Sequence, residues 1–419
     1  MNDSRAVHNR TQWGKSMKNK YLSASLGLYI NYFVHGMALI IIAQNIDFLS
    51  SQWNTDNAGA AAVVSSLGIG KLVAVFFSGK LSDRFGRKPS VVLGIFFYVL
   101  FFVGILLSPN AVIAYMFGIS AGVANSFLDT GTYPALMEAF PKKSAPANII
   151  IKAFIQGGQF MLPYLIGFLI LRDLWFGWSF IFLIAVICVN LVFILTRTFP
   201  PMADVSHESE EAGPQKVRTF HFSMNEICLI MFGFVAQTLL YILGQWIAKY
   251  GSEVVHMSEG SSRLLVSYGS LGAICCVLVT FALGNRGIKS IYFMMLYTVM
   301  SAVVSLVIWA FPVPVVCTVG AVLLGYFSSG GLIQLGLTLL AEKSSRGKGL
   351  VTSLYTIAEG IAIFTIPLVA SAISRVNIGG IFLLNGAVAL FGFTLTLIIF
   401  IRDKRPVNEA SVQVEQVQC

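Results

Sequence analysis

The pattern of apolar and polar positions is one of long, unbroken apolar runs separated by short polar breaks. A membrane span needs about 20 consecutive, mostly apolar residues. Runs of that length fit twelve times, over 22–48, 57–80, 88–108, 111–138, 146–171, 177–197, 223–249, 261–284, 288–311, 313–340, 347–373 and 379–401. In lipid every backbone N–H and C=O must be satisfied within the protein, so each run is predicted to be a helix. One break differs from the rest. Residues 198–222 hold Pro200, Pro201, Pro214, Asp204, Glu208, Glu210 and Glu211 and no apolar run, the composition of a flexible linker.

That linker divides the chain into a tail (1–21), six spans (22–197), the linker itself (198–222), six more spans (223–401) and a second tail (402–419). An offset of about 204 residues aligns the halves: Glu138 falls on Glu342 and Pro163 on Pro367, and near offset 202 Asp83-Arg84 meets Asn285-Arg286. The matched residues are charged, polar or proline, so chance alignment of apolar segments does not produce them. The predicted fold is an all-α membrane protein of twelve transmembrane helices in two pseudo-symmetric six-helix bundles.

Composition agrees. The chain is 56% hydrophobic and 11% charged, with mean hydropathy +0.78, against roughly 25% charged in a soluble domain. The net charge of +9 raises the question of nucleic acid, and its distribution answers it. With the N-terminus placed in the cytoplasm, 22 of the 28 Lys and Arg fall in the tails and the loops on that side. Only Arg172, Lys249, Arg263 and Arg375 lie on the other, while Lys71 and Lys152 lie inside spans. This is the positive-inside pattern. It predicts cytoplasmic termini and leaves no contiguous basic patch for nucleic acid. Arg5, Arg10, Lys15, Lys18 and Lys20 precede a first run too long for a cleaved signal peptide. The six cysteines lack metal-ligand spacing and require no disulfide. Five scattered histidines, no nucleophile–base pair and no Gly-x-x-x-x-Gly-Lys-Ser/Thr loop argue against an enzyme or an ATP-driven pump. No cofactor or metal is expected.

Polar residues inside spans are costly and usually face the bundle interior or a hydrated cavity. Span one places Asn31, His35, Ala38, Ile42 and Asn45 on one face. Span four does so with Asn125, Asp129 and Thr132, span five with Lys152, Gln156 and Gln159, and span seven with Gln237, Tyr241 and Gln245 beside Trp246. Span ten offers Ser328, Ser329 and Gln334 among Gly325, Gly330 and Gly331, and span eleven offers Thr352, Tyr355 and Glu359. The amides and phenols suit hydrogen bonding to a polar ligand, or equally to a neighbouring helix. Asp129, Glu359, Lys71, Lys152 and His35 are the candidates for proton coupling or charge compensation. Lys71 is too deep to reach the surface and requires an acidic partner or an anionic ligand. Lys152 lies near enough to a span end to extend back to the interface.

The stretch Gly79-Lys80-Leu81-Ser82-Asp83-Arg84-Phe85-Gly86-Arg87-Lys88-Pro89 reads as a charged turn between spans two and three. Gly-x-x-x-Asp-Arg-x-Gly-Arg-Lys at that place resembles the signature loop of major facilitator superfamily transporters. More narrowly, the runs Leu26–Tyr32, Ser65–Gly70, Ala124–Pro134 and Leu174–Phe180 resemble the YdiM/YdiN group of bacterial inner-membrane transporters. The resemblance implies that helices one, four, seven and ten line a central cavity, with five, eight and eleven beside it. It implies that Asp83 meets the start of helix eleven and that Arg84 and Arg87 pair with Glu138. Gly79, Asp83, Arg84, Gly86, Arg87 and Glu138 are then gating residues, with Glu342 and Arg346 grouped beside them. Two departures stand out. Ala114 occupies a position where many proton-coupled members carry arginine, and span five has Gly157, Gly158 and Pro163 but lacks the Gly-Pro pair of antiporters.

The sequence therefore predicts a monomeric secondary transporter in the bacterial inner membrane. It would move a small polar, anionic organic compound, shikimate- or quinate-like, by alternating access, with protons as a coupling partner. The alternative is an efflux antiporter for amphipathic compounds.

Overall fold

A computed structural model describes residues 20–141, 144–202, 222–284, 288–344 and 348–404. Most of the linker, both tails and Arg346 lie outside these residues. The twelve apolar runs form twelve helices long enough to cross a membrane. The first half contains α1 (Leu22–Gln44), α2 (Asn57–Phe85), α3 (Arg87–Leu107), α4 (Ala111–Ala139), α5 (Ser144–Leu171) and α6 (Trp178–Leu195). The second contains α7 (Met224–Glu253), α8 (Glu259–Gly284), α9 (Ser290–Ala310), α10 (Pro314–Lys343), α11 (Lys348–Ser374) and α12 (Gly380–Lys404). A short helix, Ile46–Gln52, follows α1.

Local chemistry sets where these helices begin and end. Asp56 caps α2 by accepting from the Gly59 N–H at 2.7 Å, and Asn110 caps α4 by accepting from the Ile113 N–H at 3.0 Å. Ser223 and Glu226 form a reciprocal capping box that opens α7 just past the linker. Lys88 donates to the carbonyls of Leu195 and Arg197 at the end of α6.

Two elements depart from the sequence reading. The charged stretch after residue 79 is not an open turn: α2 continues to Phe85, and the chain reverses at Gly86 alone, whose φ of 101° favours glycine. Span ten is not one continuous α-helix. It runs Pro314–Leu324, loosens into a π-helical turn over Gly325–Ser329, and resumes at Leu332. The π turn begins at a close crossing: a Cβ on Gly325 would lie 1.8 Å from the Gly269 carbonyl oxygen on α8.

The halves share one packing plan. In the first, α1 packs on α5, α2 on α4 and α3 on α6; in the second, α7 packs on α11, α8 on α10 and α9 on α12. Close approach is achieved by glycines at corresponding places. A Cβ on Gly70 or Gly122 would press on α4 or α2 carbonyls, and one on Gly272 would press on α10. Small residues let backbones meet where lipid offers no hydrophobic drive. Across the midline α2 packs on α11 and α5 on α8, again a symmetric pair of contacts. The core of the first half reaches into the second through residues such as Tyr241, Ile247 and Leu265.

Gly122→Ala places its methyl 2.0 Å from the Leu67 carbonyl oxygen and is expected to lower stability by about 1–3 kcal/mol. Gly167→Ala meets nothing within 4 Å and is expected to cause no loss. Thermal unfolding of the two detergent-purified variants checks the contrast.

Candidate transport site between the halves

Glycine also sets the register between the halves. A Cβ on Gly68 of α2 would lie 2.4 Å from the Phe364 backbone nitrogen on α11, and Gly360 of α11 faces the Leu72 side chain. This crossing brings Lys71 opposite Glu359, with Nζ–Oε2 at 3.4 Å and side-chain exposures of 12% and 10%. The pair joins the two halves deep within the membrane.

Asp129 sits on the α4 face beside it. Its carboxylate accepts from the Tyr32 hydroxyl at 2.5 Å and from the Asn125 amide at 3.4 Å. Tyr133 stands edge-on to Tyr32, and the His35 ring is hydrogen-bonded to the Tyr98 hydroxyl of α3. Lys152 of α5 is half-buried and within electrostatic reach of both Asp129 and Glu359. Lys71 acts on Asp129 as well. The four formal charges of this cluster sum to zero.

In front of the cluster lies a cavity between the two halves. Its polar wall is His35, Lys71, Tyr98, Asn125, Gln159, Gln237, Tyr241 and Gln245, and its apolar wall includes Leu39, Leu67, Leu240 and Ile363. The buried Tyr241 hydroxyl has no hydrogen-bond partner among the described residues. A side recess of about 210 Å³ between α5, α7, α8 and α10 is lined by Gln156, Gln159, Ser270 and Ser329. Gln159 belongs to both spaces.

The structure gathers most of the polar residues singled out in the sequence and sets others apart. Asn31 accepts from the Asn190 amide of α6 at 2.7 Å and is fully buried away from the cavity. Tyr355 is packed against Gly233 and Gly336, and Gln334, on the second piece of α10, lines neither space. At the α2–α3 junction Arg87, not Arg84, meets Glu138, at 3.3 Å, and it also donates to Ser82 and Asp83. Arg84 instead lies over the Phe85 ring, because helix α2 continues and turns it outward. Asp83 is 65% exposed and pairs with Arg87 at 2.6 Å. Gly79 lies within α2 with open space around it, and Glu342 is exposed.

The sequence reading missed two features. Tyr32, Tyr98 and Tyr133 surround Asp129 and His35; Tyr32 lies one turn before His35 on the same helix, and that spacing was legible. The second is a set of polar contacts at the end where α1 finishes and α2 begins. Lys249 reaches Asp47 at 2.6 Å and Glu253 at 2.9 Å, Arg375 reaches Asp56 at 3.0 Å, and Ser371 donates to the Ala58 carbonyl at 2.5 Å. Gln245 donates to the Leu39 carbonyl at 2.5 Å, and Arg263 donates to the Gln44 carbonyl. Except for Lys249–Glu253, each of these contacts ties one half to the other. In the sequence Lys249, Arg263 and Arg375 registered only as topological charges. The Arg375 side chain, helped by the Gly59 N–H, holds the Asp56 carboxyl below its usual range. That bridge is therefore retained through mild acid and lost only as pH falls through the lowered value.

Twelve spans in two matched bundles around a midline cavity define a membrane transport fold. A profile of the Major Facilitator Superfamily matches residues 28–319. The chain is 41% identical to the inner membrane transport protein YdiM of Escherichia coli K12 over 95% of its own length and 98% of the relative's. It is 34% identical to YdiN of the same organism, covering 93% of each. A gentisate transporter of Corynebacterium glutamicum is 23% identical over 68% of this chain and 66% of its own. The crystal structure of a D-xylose-proton symporter superposes with a TM-score of 0.74 at 13% identity, covering 90% of this chain and 97% of the other. The chain belongs to the major facilitator superfamily, within the YdiM/YdiN group. It is a multi-pass membrane transporter and not an enzyme.

Lys71→Met leaves Glu359 buried without its cation and is expected to cost about 3–5 kcal/mol. Lys71→Met combined with Glu359→Gln removes both charges and is expected to recover most of that loss. Melting temperatures of the single and double variants decide it.

Proposed function

We propose that this protein is a secondary transporter for a small hydroxylated organic acid of shikimate or quinate type. Cargo would be carried by alternating access of the two halves around the midline cavity. The observation that carries the reading is the make-up of that cavity. Three glutamines, an asparagine and two tyrosines can bond hydroxyls, Lys71 supplies positive charge, and the leucines offer a face for a ring. A relative named as a gentisate transporter supports a carboxylate cargo. Amphipathic compounds are the alternative cargo, which the largely apolar remainder of the wall would also accept; the Lys71 ammonium in the wall is what favours an acid.

Asn125, Gln159, Gln237, Tyr241, Gln245 and His35 are assigned to substrate, with Gln156 at the side recess. Asp129, Glu359, Lys71 and Lys152 are assigned to charge compensation, with protons as the coupling ion. Both termini are placed in the cytoplasm of a bacterial cell. On that orientation the Asp47–Lys249 and Asp56–Arg375 contacts close the outer end, and the cavity opens inward. The Arg87–Glu138 and Arg87–Asp83 pairs then brace the first half on the cytoplasmic side during the rocking motion.

A thermal-shift screen of the purified protein with shikimate, quinate, gentisate, neutral sugars and lipophilic cations, each at two pH values, tests the reading. Acids alone are expected to stabilise the protein. Stabilisation by lipophilic cations and not by acids would replace the reading with drug efflux.

A further inference from the structure

Building on the organic-acid reading, we infer that the substrate carboxylate displaces Glu359 from Lys71 and that Glu359 takes up a proton as it is released. The positions of the three groups make this exchange direct. Lys71 lines the cavity, whereas Glu359 stands behind it and lines neither space. An acid entering the cavity therefore meets the ammonium before it meets the carboxylate. An ammonium has three donors, and among the described residues Lys71 is seen to donate only to Glu359, through one contact of 3.4 Å. The pair is single-toothed and open on the side that faces the ligand.

Charge counting selects the group that must change. With the cavity empty, Lys71 and Lys152 balance Asp129 and Glu359. An incoming carboxylate makes three anions against two cations, and an uncompensated charge at this depth is not sustained. Asp129 keeps two hydrogen-bond donors, Tyr32 and Asn125, whichever way Lys71 turns. Glu359 is faced by Lys71 and, at longer range, by Lys152, Tyr133 and Tyr355. Its hydrogen bond among the described residues comes from Lys71 alone. Once Lys71 turns to the ligand, Glu359 is the carboxylate left without that donor, which is why the proton is assigned to it.

The exchange balances. The contact between the Lys71 ammonium and the Glu359 carboxylate is replaced by one between the same ammonium and the substrate carboxylate. One proton from water on the open side forms the Glu359 carboxylic acid, and the cluster stays neutral. The broken pair is one of several contacts between α2 and α11, so loading removes one tie between the halves and leaves those of Ser371 and Arg375 in place. One proton then accompanies each monocarboxylate.

Isothermal titration of the full-length, detergent-purified protein with gentisate, shikimate and quinate tests this, run in two buffers of different ionisation heat to count protons. Wild type is expected to take up close to one proton per acid bound. Glu359→Gln is expected to bind the acid with no proton uptake. Adding Lys71→Gln to that variant is expected to weaken binding about tenfold or more, the size of a lost charge-assisted contact. Comparing these two variants avoids the single Lys71 change, which strands a buried carboxylate. Proton uptake that persists in Glu359→Gln, or equal acid affinity of the single and double variants, would overturn the exchange while leaving the organic-acid reading intact. Failure of wild type to bind any of the three acids would overturn both.

Discussion

A charge placed inside a hydrocarbon slab has no water to answer it, so the protein must supply the answer from its own side chains. That constraint shapes the centre of this molecule. Lys71, Lys152, Asp129 and Glu359 come from four different helices, and the glycine crossings of α2 with α11 are what allow two of them to meet. Each cation stands within reach of carboxylates, and the carboxylates are screened by tyrosines and amides. The surrounding helices are held by small-residue contacts and by the backbone's own hydrogen bonds. The arrangement is stable only as a set, and a ligand that brings its own charge alters every member.

A second consequence of the same constraint is the division of labour along the membrane normal. Near the ends of the spans, ion pairs meet water and are individually weak. There the protein uses several: Asp47 with Lys249, Asp56 with Arg375, and Arg87 with Asp83. At the centre, among the described residues, it uses one ion pair between the halves, buried on both sides. Weak multiple contacts can be exchanged one at a time, whereas the central bridge is made or broken as a unit.

Most of the architecture was legible in the sequence because lipid imposes a simple rule on it: length and apolarity fix the spans. The helical stripes on α4, α5 and α7 likewise led to the residues that wall the cavity, since i, i+4 spacing survives folding. What was not legible depended on rotation and distance between helices. Asn31 shares a stripe with His35, yet it turns to Asn190 of α6. Arg84 and Arg87 are equally good partners for Glu138 on paper, and the continuation of α2 to Phe85 decides for Arg87. The contacts of Lys249, Arg263 and Arg375 pair residues some 200–320 positions apart, beyond any local pattern.

The interruption of α10 gives the two bundles unequal mechanics. Its counterpart, α4, runs from Ala111 to Ala139 as one rod, whereas α10 is two shorter rods joined by a π turn and a pair of glycines. A push on a continuous rod moves both ends, while a push on a jointed one is absorbed at the joint. The second half can thus bend within α10, and the turn that bends, at Ser329, borders the side recess.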